Sequence, residues 1–169
     1  MSPRPFLPAL LILSLAAGCG EDSTPGSGRF GWELLVDKAV ASQLSAFQVA
    51  VLPGGKQRNC TEIQKLCLRS QVKLDELLVL HDGKGAEGRA LRFPVNLSGT
   101  GVTSQEVSVE VPVGRDYVLV IEGISADSPP QFLGSSCNYL QEVNASRNDP
   151  VIAAPMTLTT VACDPTIGP

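Results

Sequence analysis

Cysteine thiols carry the most distinctive chemistry in this chain, and there are five: Cys19, Cys60, Cys67, Cys137 and Cys163. In an oxidising compartment thiols couple in pairs, so an exported chain uses an even number of them in bridges. Five is odd, which leaves one sulfur for other chemistry. Cys19 is the outlier, because it directly follows an apolar run while the other four are spread through the body of the sequence. Those four allow three pairings. Closing a short loop costs the least entropy, which favours Cys60–Cys67 together with Cys137–Cys163. Seven residues along one helix would separate the Cα atoms by about 10 Å, beyond the roughly 7 Å a bridge spans. Cys60 is therefore expected just outside a helix that holds Cys67, with Asn59 or Thr61 as the N-cap. Cys137–Cys163 would fasten the last stretch of the chain to an inner strand. A zinc site needs C-x2–4-C spacing or histidines nearby; neither occurs, and no metal or other cofactor is expected.

Other candidate chemistry is weaker. His81 is the only histidine. A hydrolytic triad would need it beside a serine nucleophile and an orienting carboxylate, yet no G-x-S-x-G elbow presents such a serine. It reads as a strand-end histidine at a turn. Asp82 and Glu87 lie close to it but lack calcium-loop spacing. Asp75 and Glu76 are adjacent, so on a strand they point apart and on a helix they diverge by about 100°; a solvated turn suits them better than an acid pair. G-x-G-x-x-G occurs at Gly26–Gly31 and again at Gly83–Gly88. A dinucleotide site needs a strand before the glycines and a helix after them. The first match lies in a polar tether, and the second precedes Pro94 and reads as a hairpin turn around Asp82-Gly83. Sequons at Asn59, Asn96 and Asn144 would be glycan sites only in a eukaryotic secreted chain.

The elements that place these residues begin with a leader. Met1–Pro5 carries the basic Arg4, and Phe6–Ala17 is apolar apart from Pro8 and Ser14. As a helix that run spans about 18 Å, short of the roughly 30 Å hydrocarbon core. A charged start, a short apolar run and small residues at its exit match a secretory signal peptide over residues 1–18. The exit Leu15-Ala16-Ala17-Gly18-Cys19 resembles the lipobox of bacterial lipoproteins, with Ala16 where leucine is commonest. The resemblance implies a diacylglyceryl thioether on Cys19, cleavage before it, and acylation of the new amino terminus. Multiple acyl chains make a stable anchor, so the membrane is an expected partner through Cys19. Gly20 rather than aspartate follows the cysteine, which by the same resemblance points to the outer membrane. With Cys19 lipidated, the four remaining cysteines pair evenly.

Residues 19–29 then form the lipidated cysteine and a linker. Gly20–Gly28, GEDSTPGSG, has no large apolar residue and is expected to stay disordered, reaching roughly 17 Å from a surface. Residues 30–169 are one domain, large enough for a single core. Of the 169 residues, 43% are hydrophobic and 18% charged, with a net charge of −4. A mildly acidic chain without basic clusters lacks the electrostatic footprint of a nucleic-acid binder.

Within the domain, Phe30, Trp32, Leu34 and Val36 alternate with period two, as do Phe47, Val49 and Val51 before the turn Pro53-Gly54-Gly55. Thr61–Arg69 carries Ile63, Leu66 and Cys67 at helical spacing and predicts a short helix of two to three turns. Further strands are expected at Leu77–Leu80, Leu91–Asn96 and around Val107–Val111. Tyr117–Ile121 is apolar on both faces and reads as a central strand. Gln131–Leu133 and Asn138–Val143, interrupted at Gly134–Ser136, then Val151–Ala153 and Met156–Ala162, complete the set. About seven short strands and one short helix predict an all-β, antiparallel β-sandwich. The segment EVPVGRDYVLVIEG resembles immunoglobulin-like and prealbumin-like modules of bacterial surface lipoproteins through its V-P-x-G-x-x-Y turn and strand. That resemblance implies a structural or adhesive unit. The expected function is a non-enzymatic, lipid-anchored envelope module with a protein or glycan partner. The alternatives are a carrier with a small molecule between its sheets and, less favoured, a carboxylate-based hydrolase.

Overall fold

The computed structural model describes residues 26–36, 38–95, 103–145, 151–152, 156–159 and 161–168. The chain folds as an all-β sandwich of two five-stranded sheets. In chain order the strands are β1 (Ser27–Val36), β2 (Leu44–Pro53), β3 (Leu80–His81), β4 (Glu87–Gly88), β5 (Leu91–Pro94), β6 (Thr103–Pro112), β7 (Gly114–Ser125), β8 (Phe132–Val143), β9 (Val151–Ile152) and β10 (Thr157–Leu158). Sheet A has the order β4-β3-β6-β1-β9 and sheet B the order β10-β8-β7-β2-β5. Pairing is antiparallel except for the short β1–β9 contact, which is parallel. Two single-turn helices, α1 (Lys38–Ala41) and α2 (Cys60–Ile63), accompany them.

Period two builds the inter-sheet core. Phe47, Val49 and Val51 of β2 and Leu119 and Ile121 of β7 face Phe30 of β1 and Val107, Val109 and Val111 of β6. Phe47, Val49, Val51, Val109, Val111 and Ile121 are fully enclosed. Burial of each such side chain contributes roughly 1.5–3 kcal/mol. The central place expected for Tyr117–Ile121 is the one it occupies, with β8 on one side of β7 and β2 on the other.

A second apolar cluster lies on the opposite face of sheet B. Ala50 and Leu52 of β2 and Val118 and Val120 of β7 pack there against Ile63, Leu68, Leu77 and Ile167. Residues 54–79, with α2 and three short 3-10 turns, together with the stretch 161–168, therefore form a third layer over sheet B. This is why β7 is apolar on both faces: neither face meets water.

Several expectations need correction. β1 begins at Ser27, inside the span expected to be linker. The ladder uses backbone groups, which polar side chains do not disqualify, and Ser27, Gly28 and Arg29 pair with Pro112, Val111 and Glu110. Leu77–Leu80 yields only Leu80–His81 as strand, because the 3-10 turn Leu74–Glu76 leads into it. The predicted helix at Thr61–Arg69 is one α turn and a separate 3-10 turn at Leu68–Ser70. β8 runs unbroken through Gly134–Ser136, Gly134 adopting φ 149° within it. The turn expected ahead of Tyr117 is a corner between the sheets: β6 leaves sheet A and β7 enters sheet B across Val113 alone. Asp116, at φ 63°, lies just beyond the corner within β7, and its carboxylate accepts the Lys56 N–H at 2.8 Å and the Tyr139 hydroxyl at 3.1 Å.

Candidate functional site

The site grows out of sheet register. Gln48 of β2 sits opposite Arg92 of β5 and Glu122 of β7, and Glu122 sits opposite Ser135 of β8. Partners across a ladder project to the same side of the sheet, so these four residues form a transverse row on the outer face of sheet B. The neighbouring row, Ala50, Val120 and Cys137, is apolar. Gln48, Glu122 and Ser135 are each about 1% exposed.

The third layer explains the row. Buried backbone groups require partners, and segments that cross a sheet face meet its side chains. Glu122 Oε1 accepts the Leu68 N–H at 2.6 Å and Oε2 accepts the Gln48 amide at 3.0 Å. Gln48 Nε2 also donates to the Pro165 carbonyl at 2.8 Å. Its Oε1 accepts the Ile167 N–H at 3.1 Å and, more distantly, Arg92 Nε at 3.4 Å. One amide thus engages the backbone of 165 and 167 from both of its ends. Ser135 Oγ is buried with no hydrogen-bond partner among the described residues.

Electrostatics single out Glu122. Burial disfavours its charged form and pushes its pKa up to about 7, against the opposing effect of the Leu68 N–H and the Gln48 amide. A carboxylate in that range beside a hydroxyl is suited to proton transfer. Here, however, both are closed off from solvent by residues 54–79 and 161–168. Asp164 behaves oppositely: hydrogen bonds from Thr166, then the Arg69 and Arg92 guanidinium groups, hold it below its ordinary value. Arg69 Nη1 reaches Asp164 Oδ2 at 2.7 Å and the Thr166 carbonyl at 2.9 Å. A cleft of about 330 Å³ opens at the edge of the row, lined by Asp82, Glu87, Ala90, Arg92 and Ile167 among others.

The cysteines bind this layer down, though not in the expected pairs. Cys60 pairs with Cys137 and Cys67 with Cys163, with Cα separations of 5.5 Å and 6.2 Å. Loop closure in the free chain favours the short 60–67 loop, but the fold sets Cys60 over β8. Asn59, one of the two expected N-caps, takes that place, its side chain accepting the Thr61 N–H at 2.9 Å; Cys60, expected outside the helix, is its first residue, and Cys67 lies beyond it. The expected link between an inner strand and the last stretch is therefore replaced by two: β8 to α2, and the start of the 3-10 turn at Leu68 to Cys163. Cys19 lies outside the described residues.

Other residues take ordinary places. His81 ends β3, exposed, its Nδ1 3.9 Å from Glu87 Oε2. Asp82 closes the β3–β4 hairpin by accepting the Lys84 and Ala86 N–H groups at 2.7 Å and 2.9 Å, which lowers its pKa. The second glycine motif is thus a hairpin loop, with Gly83 and Gly85 at positive φ, and the first runs from Gly26 into β1. Glu76 is held low by the Arg58 guanidinium at 2.9 Å and is not joined to Asp75 in an acid pair. Among the described residues no helix is long and apolar enough to cross a membrane, and no group of three His, Cys, Asp or Glu side chains converges as a metal site would require.

Sequence reasoning missed Gln48, Arg92, Glu122 and Ser135. One signal was present: Glu122 follows Val118 and Val120 in phase on a strand already apolar on both faces. A charged residue in that phase points to buried polar chemistry beneath a further layer. No protein family, curated protein or solved structure matches this chain.

Proposed function

We propose that the protein is a lipid-anchored module of the bacterial envelope. It would be held at the outer membrane through Cys19 and act, without catalysis, as a structural or interaction unit toward a protein or glycan partner. One observation carries this reading. Two bridges join segments 77 and 96 residues apart and use four of the five cysteines. Such bridges persist in oxidising compartments, in keeping with the export leader, and their even count leaves Cys19 for the lipid that the lipobox-like exit implies.

The centre of the space between the sheets is filled by Phe47, Val49, Val51, Val109 and Ile121, which counts against the carrier alternative there. Mass spectrometry of the amino-terminal peptide tests the proposal. A thioether-linked diacylglycerol on Cys19 is the expected result. A free or bridged Cys19 thiol in the exported protein overturns it.

A further inference from the structure

We propose that the groove spanned by Gln48 on the outer face of sheet B is a recognition site for an extended peptide, that residues 163–168 fill it in cis as a strap, and that the Cys67–Cys163 bridge is the latch. The inference deepens the interaction-module reading and rests on it.

The strap is bound as a peptide ligand would be. Gln48 donates to the Pro165 carbonyl and accepts the Ile167 N–H, a two-point grip on backbone that any extended segment offers. Side chains then select. Ile167, 3% exposed, fills an apolar seat among the residues of the second cluster. Asp164 pairs with Arg69, which also holds the Thr166 carbonyl. The groove therefore fits the pattern acidic–Pro–x–branched aliphatic, and the occupant we assign is a partner segment of that chemistry. Two further observations point to a ligand site rather than to a sealed core. Ser135 Oγ, in the same row, has hydrogen-bonding capacity that no described residue uses. The cleft lined by Arg92, Thr166 and Ile167 gives room alongside the strap.

The two bridges are not equivalent. Cys60–Cys137 ties α2, in the third layer, to β8 of sheet B. Cys67–Cys163 ties two segments that are in neither sheet. A dithiol reductant breaks it by thiolate attack on one sulfur; the reductant then closes to its own disulfide, leaving two cysteine thiols. The strap is then held by its hydrogen bonds, the Arg69–Asp164 ion pair and the buried Pro165 and Ile167.

The test uses the full chain, purified from membranes in detergent, with Cys163→Ser and Ile167→Asp to empty the groove in cis. The probe is a synthetic peptide of residues 161–168 with serine at 163. The variant is expected to bind the peptide at least about tenfold more tightly than the oxidised wild type, and Gln48→Leu in that background to weaken binding about tenfold. A folded variant that does not bind, or equal binding after Gln48→Leu, overturns the proposal. Should the variant not fold, hydrogen exchange on the wild type decides. With dithiol, the Leu68 and Ile167 amides are expected to exchange at least about tenfold faster while the β2–β7 ladder stays protected. Unchanged protection, or simultaneous loss in the ladder, overturns it. Cys19 chemistry is read separately from the amino-terminal peptide mass, so failure of the groove and failure of the anchor are distinct results.

Discussion

Gln48 and Glu122 face each other across the β2–β7 ladder, the amide nitrogen 3.0 Å from the carboxylate, with both side chains about 1% exposed. Between them they supply partners to Leu68, Pro165 and Ile167, three backbone positions of the third layer. The third layer is joined to the sandwich through this pair as much as through its apolar seats.

The pair sets a pH dependence. The folded pKa of Glu122 is about 7, raised from an ordinary value of 4.5. Between those values the folded state keeps a proton that the unfolded state has lost, so stability falls as pH rises through the window. The full decrease is about 3 kcal/mol. Thermal melts at pH 5 and pH 8 check this: the wild type is expected to melt several degrees lower at pH 8, and Glu122→Gln to flatten the difference.

The bridges predict a peptide map. Proteolysis without reductant is expected to yield Cys60-containing peptides linked to Cys137 and Cys67-containing peptides linked to Cys163. Replacing Cys60 and Cys137 with serine should cost about 2–4 kcal/mol by denaturant titration. A map showing Cys60 linked to Cys67 would refute the pairing.

Two glycines at positive φ should respond differently to alanine. Gly134 lies against β10, and a methyl group there would overlap the Thr157 carbonyl oxygen. Gly54, at φ 72°, has open space around it. Gly54→Ala is expected to cost about 1–2 kcal/mol from backbone strain alone. Gly134→Ala should cost more and displace β10, visible as lost exchange protection at Thr159, whose N–H bonds the Leu133 carbonyl.

Anchoring and folding should separate. Cys19→Ser is expected to move the protein from the membrane to the soluble fraction while leaving the melting temperature of the domain unchanged. Membrane retention of that variant would contradict the anchor.

The sandwich was legible because half-buried strands announce themselves by period two: Phe47, Val49 and Val51 on one face, Gln48 and Ala50 on the other. The third layer was not, because its turns carry no period and its hold on the sheet comes from contacts between residues far apart in sequence. Gln48 and Ile167 are 119 positions apart. The cysteine pairing was misread for a related reason. Closure entropy describes the unfolded chain, whereas the pairs follow where α2 and the stretch 161–168 come to rest on sheet B. Ser27 shows the converse error: a polar composition suggested a tether, yet its backbone completes a ladder.

The placement of β1 has a mechanical consequence. It lies inside sheet A, between β6 and β9, with Ser27–Val36 matched position by position to Pro112–Thr103. Tension applied at Gly26 along the line of that strand would load its rungs together, in shear. A strand entered at a free rim would instead peel one rung at a time.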